Sequence, residues 1–335
     1  MFSIPLISLI IVALGYGFLN GVHDSSNIVA TIISSRALPP RASLILTAAS
    51  EFLGPFIFGI AVATTIGNDI VKAEYINIYV LLAACCSAII WNILTWILGI
   101  PSSSSHALIG GLVGAVVIAA GFKVIMLRGI IKVVIALFAS PVIGFLVGLL
   151  VTNLVYLTSW KATPNINIVF KRMQLVTLVA LALSHGSNDA PKTMGIITLG
   201  LVICGIQSTF LVPLWVILIC ALAIAVGTGV GGQQLIKTLG SKFYKIRPVH
   251  GFSTQVSSAL VIFTASLLGG PVSATQVVSS AIMGVGAAER MSKVRWGVAR
   301  EIISAWLFTI PTTALLAAGL YWLMTIGVPA IIKLF

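Results

Sequence analysis

Long apolar stretches alternate with short polar interruptions along the whole chain. Six stretches, at about 4–33, 43–66, 129–157, 174–200, 211–234 and 297–325, are each long enough to cross a bilayer, for which about 20 apolar residues suffice. Two further stretches are split. Residues of about 76–100 and 104–121 flank Pro101-Ser102-Ser103-Ser104-Ser105, and those of about 250–269 and 274–288 flank Pro271-Val272-Ser273-Ala274-Thr275. The second arm of each pair is short and rich in glycine or other small residues. Each pair therefore reads as a re-entrant helical hairpin with its tip at the Pro-Ser element. Non-helical backbone at membrane depth is tolerated only where it is buried in protein or lines a cavity. The expected fold is an all-α polytopic membrane protein with six full spans and two hairpins, about 10 transmembrane segments. The runs are too long for the alternating strands of a membrane barrel. The opening "MFSIPLISLIIVALGYGF" lacks a basic region and a small-residue cleavage site, so it is expected to be the first span and not a removable signal.

The polar interruptions come in matched pairs, the mark of an internal repeat. "GVHDSSN" from Gly21 answers "GSNDAPK" from Gly186, which sets Asp24 against Asp189. "LGIPSSSSHALIGGLVGA" from Leu98 answers "LGGPVSATQVVSSAIMGVGA" from Leu268, which sets Pro101 against Pro271. Both pairs are separated by about half the chain. Two motifs recurring in one order indicate a duplication, with residues 1–160 as the first repeat and 161–335 as the second. Each half makes three crossings plus one hairpin (about 76–121 and about 250–288), and three is odd, so the halves are inverted.

Charge agrees with that topology. Arg36, Arg41, Lys161, Lys171, Arg172, Lys237, Lys242, Lys245, Arg247, Arg290, Lys293, Arg295 and Arg300 fall on one face, 13 basic residues. The other face has five, Lys72, Lys123, Arg128, Lys132 and Lys333, beside Asp69 and Glu74. Basic loops stay in the cytoplasm, so both termini are expected to be extracytoplasmic. The net charge of +12 is spread over short membrane loops, which argues against nucleic acid as a partner. Composition agrees: 59% of residues are hydrophobic and 8% charged, against about 25% charged in soluble domains. Cys85, Cys86, Cys204 and Cys220 all lie in apolar runs and read as small fillers of helices.

Four charges lie away from loops and span ends: Asp24, Glu51, Asp189 and Lys192. Each costs at least about 2.5–3.5 kcal/mol at mid-bilayer, so each has to pair or to act. Around Asp24 and Asp189 the motifs of Asn, Ser and Gly suggest helices opened at these points. Glu51, in "AASEFLGPFIFG", has no acidic counterpart in the second half and fits either a coupling or gating role or a buried hydrogen bond. Ser102 to Ser105 and Ser273 to Thr275 would open helices at the hairpin tips. Helix N-termini present free N–H groups and a positive dipole end, and hydroxyls add donors. Two such tips, facing one another, make an anion cradle. Importing a divalent anion against about 100 mV costs about 4.6 kcal/mol, so cations have to accompany it. Asp24 and Asp189 suit Na+ or H+, with Asn27, Asn188 and unwound carbonyls to complete a shell.

"NGVHDSSN", "GIPSSSSHA" and "SHGSNDAPKTMGIIT" resemble the signatures of the inorganic phosphate transporter (PiT) family of secondary carriers. The resemblance spans both halves, in order and spacing. It implies a symporter that imports inorganic phosphate with H+ or Na+ by an elevator-like movement, in the cell membrane, with no cofactor and no enzymatic activity. Carried over residue by residue, it points to Ser103, Ser104, Ser105, Ser273 and Thr275 for phosphate and to Asp24, Asn27, Asn188 and Asp189 for the coupling ions. No metal is expected beyond Na+ at the coupling-ion residues. The expected partners are phosphate, Na+ or H+ and the lipid bilayer, with a homodimer as the candidate assembly.

The chain also departs from the pattern. Many sodium-coupled members have Asn-Asp in both repeats, whereas here the first repeat has His23-Asp24. That form is similar to bacterial members thought to use protons, some of which carry metal–phosphate complexes. Histidine changes charge near neutrality when unperturbed. His23 is thus a candidate proton relay, or equally a neutral partner that orients Asp24. Gln276 stands where the first hairpin has His106. His185 reads as a packing or hydrogen-bonding residue. Lys192 stands where the first repeat has Asn27, either neutralising Asp189 or meeting the anion. Three other functions compete: a carrier of sulfate or another tetrahedral oxyanion, a passive channel, and an intramembrane hydrolase built on Ser105-His106. Adjacent residues on a helix do not face one another, and the second copy, Thr275-Gln276, lacks a base, which weighs against the hydrolase.

Overall fold

The computed structural model describes residues 3–100, 102–231, 246–294 and 296–327. Pro101, Lys237, Lys242, Lys245, Arg295 and Lys333, named above, lie outside the described residues. Eleven α-helices are described: α1 (Ile4–Ser34), α2 (Pro40–Phe58), α3 (Ala61–Thr64), α4 (Ile78–Leu98), α5 (Ser104–Ala120), α6 (Leu127–Thr158), α7 (Ile166–Ile203), α8 (Leu214–Val230), α9 (Pro248–Leu267), α10 (Ala274–Glu289) and α11 (Trp296–Trp322). Among the described residues the only β pairing is a single bridge, Val71 to Ile125.

Among the described residues, six helical segments are long and apolar enough to cross a membrane: α1, α2, α4, α6, α7 and Ile303–Ile326. The protein is a polytopic membrane protein. This set differs from the expected spans in two places. α4, expected as a hairpin arm, has 21 residues and is long enough to cross. α8, expected as a full span, has 17 described residues and is shorter.

Three expected helical features are corrected. The run 43–66 is not one span. α2 ends at Phe58, where Gly59 takes φ 84°, and the short α3 and a π-helical turn, Thr65–Asp69, follow. That left-handed φ suits glycine, which has no Cβ to clash. The helices around Asp24 and Asp189 are not opened either. α1 runs unbroken through Gly21–Asn27, and α7 runs unbroken through Ser184–Lys192 with Pro191 inside it. Several polar side chains there bond sideways or backwards, and the backbone keeps its own ladder. Ser25, Ser26 and Ser187 hydroxyls donate to the carbonyls three residues earlier, of Val22, His23 and Ser184.

Glycine at these places serves helix approach. A Cβ on Gly21 of α1 would overlap the backbone of Ile224 in α8, and one on Gly227 of α8 would overlap Phe18 in α1. The same holds for Gly186 of α7 against Glu51 in α2, and for Gly54 of α2 against Leu183. In lipid no hydrophobic force drives helices together, so close backbone packing through small residues has to do it. α5 packs on α11 and α10 on α6 by the same means, with Gly114 against Ala314 and Gly148 against Ala281.

The molecule is polar at its centre and apolar outside. All of Asn20–Asn27 except the apolar Val22 is polar or glycine, and all of it is buried. The outer face of α6 exposes Leu146, Leu150, Leu154 and Leu157.

Candidate functional site

Four pieces meet at the centre: the middle of α1, the middle of α7, and the N-termini of α5 and α10. The helix starts are built alike. Ser103 caps α5, its Oγ accepting from His106 N at 3.1 Å, and Ser273 caps α10, its Oγ accepting from Gln276 N at 3.4 Å. The preceding helices, α4 and α9, are followed by Gly99 and Gly269 at φ 67° and 66°.

Asp24 of α1 binds both helix starts. Its Oδ1 accepts from Thr275 Oγ1 at 2.9 Å and from Asn27 Nδ2 at 2.9 Å, and its Oδ2 accepts from Ser104 Oγ at 3.0 Å. His23 Nδ1 lies 3.3 Å from Oδ1. Asp189 of α7 is held differently. Lys192 Nζ donates to its Oδ1 at 2.7 Å and Asn20 Nδ2 donates to its Oδ2 at 2.9 Å. Lys192 also reaches Ser105 Oγ at 2.6 Å and Val272 O at 2.9 Å. Ser105 Oγ in turn donates to Val272 O at 3.0 Å.

His185 occupies the middle. Its Nε2 lies 3.9 Å from Asp24 Oδ2 and 3.7 Å from Asp189 Oδ2, and its Nδ1 lies 2.7 Å from Glu51 Oε1. Ligand atoms of Asp24, His185 and Asp189 all lie within 4.8 Å of one another. Glu51 Oε2 accepts from Thr228 Oγ1. Buried charge of this density is tolerable only when paired and hydrogen-bonded. Two carboxylate oxygens and a ring nitrogen converging on one point can hold a proton or a small cation.

The residues expected at the site divide into two groups. Asp24, Asn27, Asp189, Lys192, Ser104, Ser105 and Thr275 come together. Ser103 and Ser273 lie at the same helix starts, with their hydroxyls engaged as caps. Asn188 faces the second tip: it donates to Ser266 Oγ and Gly270 O at 3.1 Å each and accepts from Val272 N at 3.3 Å. His23, its positional counterpart, leaves Nε2 buried without a partner, in a small pocket with Asn92 and Trp96. Ser105 and His106 do not face each other. His106 Nδ1 lies 2.6 Å from Ser103 Oγ, while Ser105 faces Lys192 and Val272.

Asn20 is a central residue that its sequence context does not single out, and His185, expected to pack or to hydrogen-bond, faces Glu51. A signal existed: the two stand at the same offset as the aspartates, each one helical turn before its own aspartate. Tyr16, a further turn earlier, donates from its hydroxyl to Ser104 O at 3.2 Å.

Comparison with known proteins settles the family. The model of the phosphate transporter family matches residues 20–164 and again 156–317. The chain belongs to the phosphate transporter family. A protein of Rhizobium meliloti (strain 1021) named "Probable low-affinity inorganic phosphate transporter" is 45% identical over 322 residues, 95% of this chain and 96% of its own. One of the same name from Bacillus subtilis (strain 168) is 42% identical, with the same coverage. A solved structure described as "The sodium-dependent phosphate transporter" superposes with a TM-score of 0.90 at 25% identity, covering 96% of this chain and 99% of its own. The protein is a multi-pass membrane transporter of phosphate and not an enzyme.

Proposed function

We propose that this transporter imports inorganic phosphate, free or as a metal–phosphate complex, across the cell membrane in symport with H+ or Na+. One observation carries the reading. The capped N-termini of α5 and α10, from the two halves of the chain, converge on Asp24, which binds Ser104 of one and Thr275 of the other. Helix N-termini with serine and threonine hydroxyls suit a tetrahedral oxyanion. Ser103, Ser104, Ser105, Ser273 and Thr275 would hold phosphate. Asp24, Asn27 and Asp189, with Asn188 bracing the second tip, would hold the coupling ion. The structural neighbour's description as sodium-dependent supports a cation as co-substrate.

The inverted repeat, two re-entrant hairpins and extracytoplasmic termini complete the reading. Matched pairs support it: α1 with α8 and α2 with α7 cross through glycines, and α5 with α11 and α10 with α6 do the same. We extend the reading to an elevator-like movement of the polar centre within the apolar shell, in a homodimer. Counterflow in liposomes tests the substrate. Preloaded phosphate should exchange with external phosphate; exchange of sulfate without phosphate would reassign the carrier.

A further inference from the structure

Asn27 and Lys192 hold corresponding positions, each three residues after its aspartate, and they make the same bridge with different charge. Asn27 Nδ2 spans Asp24 Oδ1 and Thr275 Oγ1, each at 2.9 Å. Lys192 Nζ spans Asp189 Oδ1 at 2.7 Å and Ser105 Oγ at 2.6 Å. Ser105 and Thr275 are themselves counterparts, at the same offset as Pro101 and Pro271. Each bridge joins the aspartate helix of one half to the helix start in the other half. In the first the bridging group is a neutral amide, and in the second it is an ammonium. That ammonium is fully buried, and a third oxygen, Val272 O, accepts from it at 2.9 Å.

We propose that Lys192 is a tethered cation, whose ammonium neutralises Asp189 as a mobile coupling ion neutralises Asp24. One mobile-cation site per transport cycle is then left. The proposal rests on cation–phosphate symport through this site. Asp24 has no ammonium or guanidinium partner among the described residues; its donors are Asn27, Ser104 and Thr275, with the imidazoles of His23 and His185 alongside. Asp189 Oδ1 already faces a positive charge, the Lys192 ammonium. A second small cation there would stand against that ammonium in a low-dielectric interior, where like charges repel far more than in water. The fixed charge also lies beside Ser105, at the start of α5, where it faces an incoming anion without having to be loaded from solution.

The test is the cation-to-phosphate flux ratio, read as a reversal potential with the full-length protein in proteoliposomes. Lys192→Asn should raise the ratio by one cation per phosphate, and Lys192→Arg should keep the wild-type ratio. The reciprocal change, Asn27→Lys, should lower it by one. An unchanged ratio in either Lys192→Asn or Asn27→Lys overturns the proposal, as does a raised ratio in Lys192→Arg. If Lys192→Asn is monodisperse but inactive, phosphate protection against thermal unfolding decides. Protection that returns as Na+ or acidity is raised supports the tethered cation, and protection lost under every condition overturns it. Wild-type protein that moves phosphate with no cation would overturn the symport reading itself, which keeps the two failures apart.

Discussion

The imidazole of His185 sits against the carboxylate of Glu51, Nδ1 to Oε1 at 2.7 Å, while Thr228 donates to the other oxygen of Glu51. This fixes the ring so that Nε2 faces both Asp24 and Asp189. A carboxylate behind an imidazole sets where the proton sits and where the free nitrogen points. Glu51→Gln keeps the volume and the Thr228 contact but removes the charge. Phosphate uptake should fall at least about tenfold, and the melting temperature should fall because one partner of a buried pair loses its charge. Uptake assays and thermal melts in detergent check both. Wild-type behaviour in both would detach Glu51 from the site.

Asp24→Asn and Asp189→Asn should each abolish concentrative uptake while the protein still inserts. Asparagine preserves shape and some of the hydrogen bonds, but at position 24 it offers no charge to a mobile cation and at position 189 it leaves the Lys192 ammonium without its counter-charge. Uptake normalised to the amount of protein in the membrane is the measurement. Full accumulation by both variants would remove the ion-site assignment.

Two kinds of serine separate at the helix starts. Ser104 and Thr275 donate to Asp24, whereas Ser103 is tied up as a cap. Ser104→Ala and Thr275→Val should raise the KM for phosphate with little change in melting temperature. Ser103→Ala should cost about 1 kcal/mol of stability through the lost cap. Equal melting losses in all three would leave the first two residues with a structural role only.

Much of the candidate site's arrangement could be read from the sequence, because its motifs occur twice. The offset of Asp24 to Asp189 found the two aspartates, and the Pro-Ser elements found the helix starts at Ser104 and Ala274. Polarity alone misled about the backbone. Gly21 and Gly186 beside aspartates looked like helix breaks, yet each makes room for a neighbouring helix, and a true interruption comes at Gly59 in an apolar run. A close crossing and a break use the same residue, and only the partner helix tells them apart. Asn20 was missed because the residue at the matching position, His185, differs from it in identity, an imidazole against an amide.

The crossing of α1 and α8 gives a stability test free of the site. A Cβ on Gly227 would overlap the backbone of Phe18, whereas one on Gly229 meets nothing within 4 Å. Gly227→Ala should cost about 1–3 kcal/mol by overpacking. Gly229→Ala, in the same helix, should be neutral or gain about 0.5–1 kcal/mol from lost backbone freedom in the unfolded chain. Melting curves of the two variants side by side decide it; equal losses would contradict the close crossing.

Symport at a site shared by the two halves is tested most directly by phosphate uptake into proteoliposomes under a Na+ gradient alone and a pH gradient alone. At least one gradient should drive phosphate above its equilibrium level, and the one that does names the coupling ion. Phosphate that enters only to equilibrium under both gradients would contradict symport and make the protein a passive path.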